Sequence, residues 1–423
     1  VLVMCMVLAG CTTGNNTSST GSTASEPKSE ASTSDTSTGS ETSIESEVTP
    51  TGEKIIRVNN SSEPGSLHPA LAHGTHDSWP LNHMFEGLYE KNAENGTDLA
   101  VAESVETSED GLTWTFKISP DAKWSNCDQV TANDFISSFA FCLDPKNAAK
   151  YSTQLYILEN AEAINSGEKD ISELGAKALD EMTLELKLVN PLPYLPDLLT
   201  HYTFYPVHTK NQEENPNWYT SPENYISNGA FVLTEWKNKE SITLKKNTNF
   251  RRASDVKLDG MYFTIIEDIP TTWQMFEAGD LDALYPLPPA VIEKLDAEDD
   301  PVLNQFDDLS TYYYYFNTTR KPFNNVKVRQ ALSLSINRDA LTKNVTQGGE
   351  VPAFSLTCPG ISDGNGDFQE NLGPFFSENL EEAKKLLEEG LAEEGITKDQ
   401  FSFTILYNTN DTHKKVDEAI QAN

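Results

Sequence analysis

The 423-residue sequence predicts a mixed α/β (α+β) body. Three observations carry that reading. Residues 113–118 and 183–189 alternate apolar and polar side chains, the period of a half-buried strand. Capped stretches of helical period fall between such runs. Strands and helices mix irregularly, without an internal repeat, as in an α/β or α+β domain.

The elements follow in chain order. Ile55, Ile56 and Val58 mark a first strand. After the turn signal Asp110-Gly111, Trp114, Phe116 and Ile118 share one strand face. Thr131 with Asp134 forms a variant capping box for a helix that aligns Phe135, Phe139 and Leu143, and Asp144-Pro145 stops it. Leu184, Leu186 and Leu188 line another strand, and Ile242 with Leu244 marks one more. Two further strands are expected at 311–317 and 401–407. Helices are expected at 325–336, with Val328, Leu332 and Ser335 together, and after Asn379, whose capping partner is Glu382. A last helix covers 414–421.

Length alone suggests two or three domains, and 37% hydrophobic and 9% aromatic residues can fill a sizeable core. The formal charge of −34 repels nucleic acid and anionic headgroups, which excludes nucleic acid as a partner. Small cationic or zwitterionic ligands are compatible with it.

Residues 1–10 read VLVMCMVLAG, uncharged and too short to span a bilayer. They have the character of a secretion signal, with small residues before Cys11. Neither a basic stretch nor an initiator Met precedes them, so the sequence is expected to begin inside that signal. Leu8-Ala9-Gly10-Cys11 resembles the lipobox of bacterial lipoproteins, which implies cleavage before Cys11 and a diacylglyceryl group on its thiol. Residues 12–53 are dominated by Ser, Thr, Gly and Glu, and carry −6 of the total charge. With almost nothing to bury, this stretch is expected to be a disordered tether with a reach of roughly 35–40 Å. Beyond Cys5 and Cys11, the odd count of Cys127, Cys142 and Cys358 leaves open one bridge and a free thiol, or three free thiols.

An ordered series of motifs runs along the body. It begins with Glu63-Pro64-Gly65-Ser66-Leu67-His68-Pro69, Phe85-Glu86-Gly87-Leu88 and Ala102-Glu103-Ser104. It continues with Asp110-Gly111-Leu112-Thr113-Trp114-Thr115-Phe116, Ala122-Lys123-Trp124-Ser125 and Val130-Thr131-Ala132-Asn133-Asp134-Phe135. Leu174-Gly175, Lys177-Ala178-Leu179-Asp180, Asn228-Gly229-Ala230-Phe231, Pro322-Phe323-Asn324-Asn325-Val326-Lys327-Val328-Arg329-Gln330-Ala331-Leu332 and Leu406-Tyr407-Asn408-Thr409 complete it. In this order the series resembles the extracellular solute-binding proteins of family 5, and most nearly the members that bind oligopeptides for ABC importers. The sequence departs from that pattern at His68, usually Asp, at Cys127, usually Gly, and at Gln129, usually Pro. The turn around Cys127 is therefore expected to be built differently.

The resemblance implies a two-lobed, periplasmic-binding-protein-like fold of class II (cluster C) with an extra small domain. It divides the chain into a signal (1–10), a lipidated tether (11–53), a split lobe I (54–86 and 210–309), a domain II (87–209) and a lobe III (310–423). Lobe III is expected to be incomplete at its C-terminal end. The implied function is capture of an oligopeptide between the lobes and delivery to the permease, with no catalysis and no cofactor. A monomer, held to the outside of the cell membrane by its N-terminal lipid, is expected. Carried over residue by residue, the ligand contacts are His73, Gly74 and Thr75 through the main chain, with Tyr151, Tyr285 and Tyr313. Pro286 departs from the relatives' Asn after that tyrosine.

The same stretches of sequence bear on other chemistries. His68, His73, His76 and His83 cluster in sequence, and some relatives bind nickel or haem, but Gly74 and Pro80 are expected to break any regular helix there. A sugar-binding member of the family is a further alternative. Asp363, Asn365 and Asp367 open like a calcium loop, but Phe368 and Pro374 stand where it needs Gly and Glu, so a polar turn is expected. No G-x-S-x-G elbow supports a surface hydrolase. A surface adhesin is the remaining reading from a different class.

Overall fold

The computed structural model describes residues 52–422 apart from Asn95 and Thr409. The signal, Cys11 and nearly all of the expected tether lie outside the described residues. In chain order the strands are β1 (Ile55–Asn59), β2 (Tyr89–Lys91), β3 (Thr97–Leu99), β4 (Ala102–Thr107) and β5 (Thr113–Ile118), then β6 (Ala176–Asp180), β7 (Thr183–Lys187), β8 (Phe231–Lys237), β9 (Ser241–Lys246) and β10 (Gly260–Thr264).

They form two four-stranded sheets and a small β2–β3 ribbon. One sheet runs β1-β10-β9-β8, the other β4-β5-β7-β6. The first is closed by long-range pairing: β1 lies parallel to β10, with Ile55 opposite Gly260 and Asn59 opposite Thr264. The second sheet is inserted in sequence between these partners. Its alternation pairs face to face, with Trp114 opposite Leu186 and Phe116 opposite Leu184. Phe116, Leu184 and Leu186 are wholly buried. Each such side chain contributes about 1.5–3 kcal/mol by leaving water.

The helices that position the rest are α1 (Thr75–Met84), α2 (Ala132–Leu143), α3 (Ile269–Ala278), α4 (Val326–Ser335), α5 (Leu380–Glu394) and α6 (Asp411–Ala422). α2 starts at the predicted box: Thr131 N–H donates to Asp134 at 2.8 Å, and Phe135, Phe139 and Leu143 are fully buried. Asp134 also accepts from Trp124 Nε1 at 3.1 Å and from Thr209 N–H at 2.9 Å, so one carboxylate joins three segments. α5 is capped by Asn379, whose side chain accepts from Glu382 N–H at 3.0 Å. It packs closely on α4: a Cβ on Gly390 would lie 2.8 Å from Val328 Cγ2.

Four expectations need correction or completion. Residues 311–317 and 401–407 are not strands, because no described segment offers either a ladder and extended backbone alone is not a strand. Gly74 and Pro80 do not break the helix. Gly74 is its N-cap, and Pro80 is tolerated because the His76 carbonyl, left without its helical donor, accepts from Asn60 Nδ2 at 2.8 Å. The turn at Cys127 keeps a glycine-type conformation, with Cys127 at φ 75° and its N–H donating to the Trp124 carbonyl at 2.9 Å. Of the two thiol arrangements, the structure adopts three free cysteines: Cys127 exposed, Cys142 buried and Cys358 intermediate.

Candidate functional site

The region assigned by resemblance lies at the start of α1. The segment 65–74 is folded onto that helix by one buried carboxylate. Asp77 accepts N–H bonds from Gly65 at 2.6 Å, His73 at 2.8 Å and Gly74 at 3.1 Å. The pattern is a capping box with a glycine cap, and Asp77 is wholly buried. The main-chain donors of His73 and Gly74 are therefore turned inward. Thr75, the first helical residue, is exposed.

Tyr151 comes to the same place from 76 residues downstream of Thr75. Its hydroxyl points at the His73 carbonyl oxygen, 3.5 Å away. Lys150, beside it in sequence, donates from Nζ to His73 Nε2 at 3.0 Å, while His73 Nδ1 faces the Leu71 carbonyl at 3.3 Å. Behind Tyr151 stand His201, with ring centroids 5.5 Å apart, and Tyr202, at 6.1 Å. Burial pushes the His201 imidazole down to about 4 and raises the Tyr202 hydroxyl. This backing is neutral at physiological pH.

Tyr285 comes near α1 from further along the chain. It is 67% exposed, and its ring lies 6.3 Å from that of Trp79, one turn along the helix from Thr75. The Tyr285-Pro286 bond is cis. Tyr313 is half-buried in the extended 311–317 segment. Its neighbours Tyr312 and Tyr314 pack edge-on at 5.6 Å, and the Tyr314 hydroxyl donates to Asp417 on α6. The structure thus gathers His73, Gly74, Thr75 and Tyr151 at one helix end, sets Tyr285 beside that helix, and carries Tyr313 on a different segment.

Three participants were absent from the sequence reading: Asp77, Lys150 and His201. The spacing Gly74-x-x-Asp77 was a readable cap signal. Nothing local marked Lys150 or His201, whose roles arise only from chain crossing.

His68 and His83 are structural. His68 is fully buried, stacked on Phe141 at 4.3 Å. His83 packs near Phe231 and Phe263. Among the described residues no group of three His, Cys, Asp or Glu side chains is arranged to hold a metal ion. Asp367 caps the short helix Phe368–Leu372, and Asp363 accepts from Asn365 and Asn371, the polar turn expected there. A hydroxyl, an ammonium, an imidazole and main-chain groups meeting at one helix end are groups that bind and orient. Among the described residues no helix is long and apolar enough to cross a membrane.

Comparison with known proteins bears on the family and the fold. Residues 98–423 match the family model of bacterial extracellular solute-binding proteins, family 5. The oligopeptide-binding protein OppA of Bacillus subtilis is 38% identical over 376 residues, covering 88% of this chain and 68% of that protein. The dipeptide-binding protein DppE of the same organism is 36% identical, with the same coverage. The crystal structure of Haemophilus influenzae OppA in complex with RPPGFSPFR superposes with a TM-score of 0.80 at 34% identity, over 88% of this chain and 73% of that one. The fold is the mixed α/β, cluster C fold of periplasmic binding proteins. The chain belongs to family 5 of the bacterial extracellular solute-binding proteins, non-enzymatic substrate-binding proteins of the peptide ABC importer family.

Proposed function

We propose that this protein captures oligopeptides outside the cytoplasm and passes them to the permease of an ABC importer. The observation that carries this reading is the meeting of His73–Thr75 with Tyr151 at the start of α1. The fold around that meeting matches a protein solved with a bound peptide. Peptides differ in side chain but share a backbone, so a general receptor bonds the main chain and leaves room for side chains. With the His73 and Gly74 N–H groups committed to Asp77, the His73 carbonyl is the acceptor for a ligand N–H. Tyr285 and Tyr313 supply further contact as lobe I (54–86 and 210–309) and lobe III (310–423) close over the ligand, with domain II (87–209) alongside. The parallel β1–β10 pairing supports a lobe I built from two stretches of chain. A lipid on Cys11 holds the monomer to the outer face of the cell membrane.

Calorimetry of the unlipidated protein with a mixed library of short peptides tests the capture. Micromolar or tighter binding is expected. Failure of every peptide to bind a protein that melts cooperatively would overturn the reading. The anchor is tested separately: palmitate labelling and membrane association are expected to disappear in Cys11→Ser.

A further inference from the structure

We propose that Lys150 is a specificity-determining residue, selecting peptides with a carboxylate side chain at the one ligand position that lies beside His73. This rests on the peptide-capture reading of the same site.

Lys150 and Tyr151 straddle His73, the ammonium at the imidazole and the hydroxyl facing the carbonyl. The ammonium lies 3.0 Å from His73 Nε2, a contact that orients it without pairing it with an acid. Among the described residues no carboxylate lies within 4.0 Å of Lys150 Nζ. The nearest acid along this chain of contacts is Asp77, on the far side of the His73 ring at 3.7 Å from Nδ1. Asp77 is wholly buried and its oxygens already accept the N–H groups of Gly65, His73 and Gly74. It cannot turn outward to meet the lysine.

A ligand carboxylate is the partner that completes this arrangement, because a hydrogen bond between two ionised groups is roughly twice as strong as one between neutral groups. The rest of the protein acts in the opposite direction. A formal charge of −34 disfavours acidic ligands at long range. The preference is therefore confined to the ligand position that reaches Lys150, while acidic residues elsewhere in the peptide weaken binding. Lys150 is exposed, so the expected gain is that of a solvated ion pair, ~2–5-fold in affinity.

The test is a positional scan of an alanine-based pentapeptide, with Glu, Gln or Lys placed at each position in turn, titrated into the full-length protein by calorimetry. The ratio of Glu to Gln affinity is the readout. In the wild type it is expected to exceed one at a single position by ~2–5-fold, and to shrink in concentrated salt. At that position it falls to one in Lys150→Gln, and Lys150→Glu shifts the preference to the Lys peptide. Peptides that bind with no Glu preference at any position overturn the inference and leave peptide capture standing. So does a preference that persists unchanged in Lys150→Gln. Absence of binding by every peptide to a cooperatively melting wild type overturns peptide capture and this inference with it.

Discussion

His68 shows how one residue can replace another chemically different one in a fixed fold. The resemblance drawn from the motif series leads one to expect Asp there. In this chain His68 Nδ1 accepts the Ala70 N–H at 3.0 Å, as a carboxylate would. That fixes the tautomer, so Nε2–H donates to Gln212 Oε1 at 3.1 Å. Burial among Phe141, Trp218 and Tyr219 pushes the imidazole down to about 4. The folded residue stays neutral while the unfolded one takes up a proton near its ordinary value of 6.5. Its contribution is therefore complete above pH 6.5 and is lost as pH falls through about 4. At pH 5 the loss from this residue is about 2 kcal/mol. Urea unfolding at pH 8 and pH 5 checks it: the acid-linked drop is expected to be about 2 kcal/mol smaller in His68→Asn than in wild type. An equal drop in both would place the proton uptake elsewhere.

At the scale of an element, α1 is organised by a side chain that would touch no ligand. Asp77 satisfies the N–H groups of the loop before the helix and of the cap itself, and Asn60 relieves the carbonyl freed by Pro80. Replacing Asp77 with Asn removes the charge and turns an amide NH₂ toward donors. Buried hydrogen bonds to charged groups contribute ~1.5–3 kcal/mol each on net. The expected result for Asp77→Asn is a loss of about 2–4 kcal/mol in chemical denaturation, with weaker peptide binding as residues 65–74 loosen. Wild-type stability in this variant would show that the cap does not hold the loop.

The whole molecule is tied together by pairs far apart in sequence. Glu86, two residues past the end of α1, accepts two bonds from Arg251, at 2.8 and 2.9 Å. Arg252 bridges Glu86 and Glu90 on the same patch. Gly229 completes the junction, its N–H donating to the Met84 carbonyl at 2.7 Å where a Cβ would lie 2.5 Å from backbone. Burial raises the Glu86 carboxyl, and Arg251 opposes that rise, so the pair is held together by mutual need. Arg251→Ala leaves the buried Glu86 carboxylate with Arg252 alone, at 3.4 Å, and is expected to cost up to about 3–5 kcal/mol. The double replacement Glu86→Leu, Arg251→Leu is expected to be less damaging than Arg251→Ala, because it removes both charges together. Denaturant midpoints of the single and double variants measure the difference.

The sequence by itself determined what repeats at short range. Alternation gave the faces of β5 and β7, and Thr131 with Asp134 and Asn379 with Glu382 gave the starts of α2 and α5. These signals are local because side-chain period and capping bonds span only a few residues. The ordered motif series pointed to the family in the same way. The consecutive tyrosines Tyr312–Tyr315 have the propensity of a strand, but a strand exists only with a neighbour, and no described segment supplies one. Only tertiary structure decided that α1 continues through Pro80, since its rescuer, Asn60, lies across a loop. It likewise decided that the His73 and Gly74 donors face Asp77, and that Lys150 and Tyr151 meet His73 from another part of the chain. Such contacts form when distant segments are packed together, and no period or spacing in a sequence encodes them.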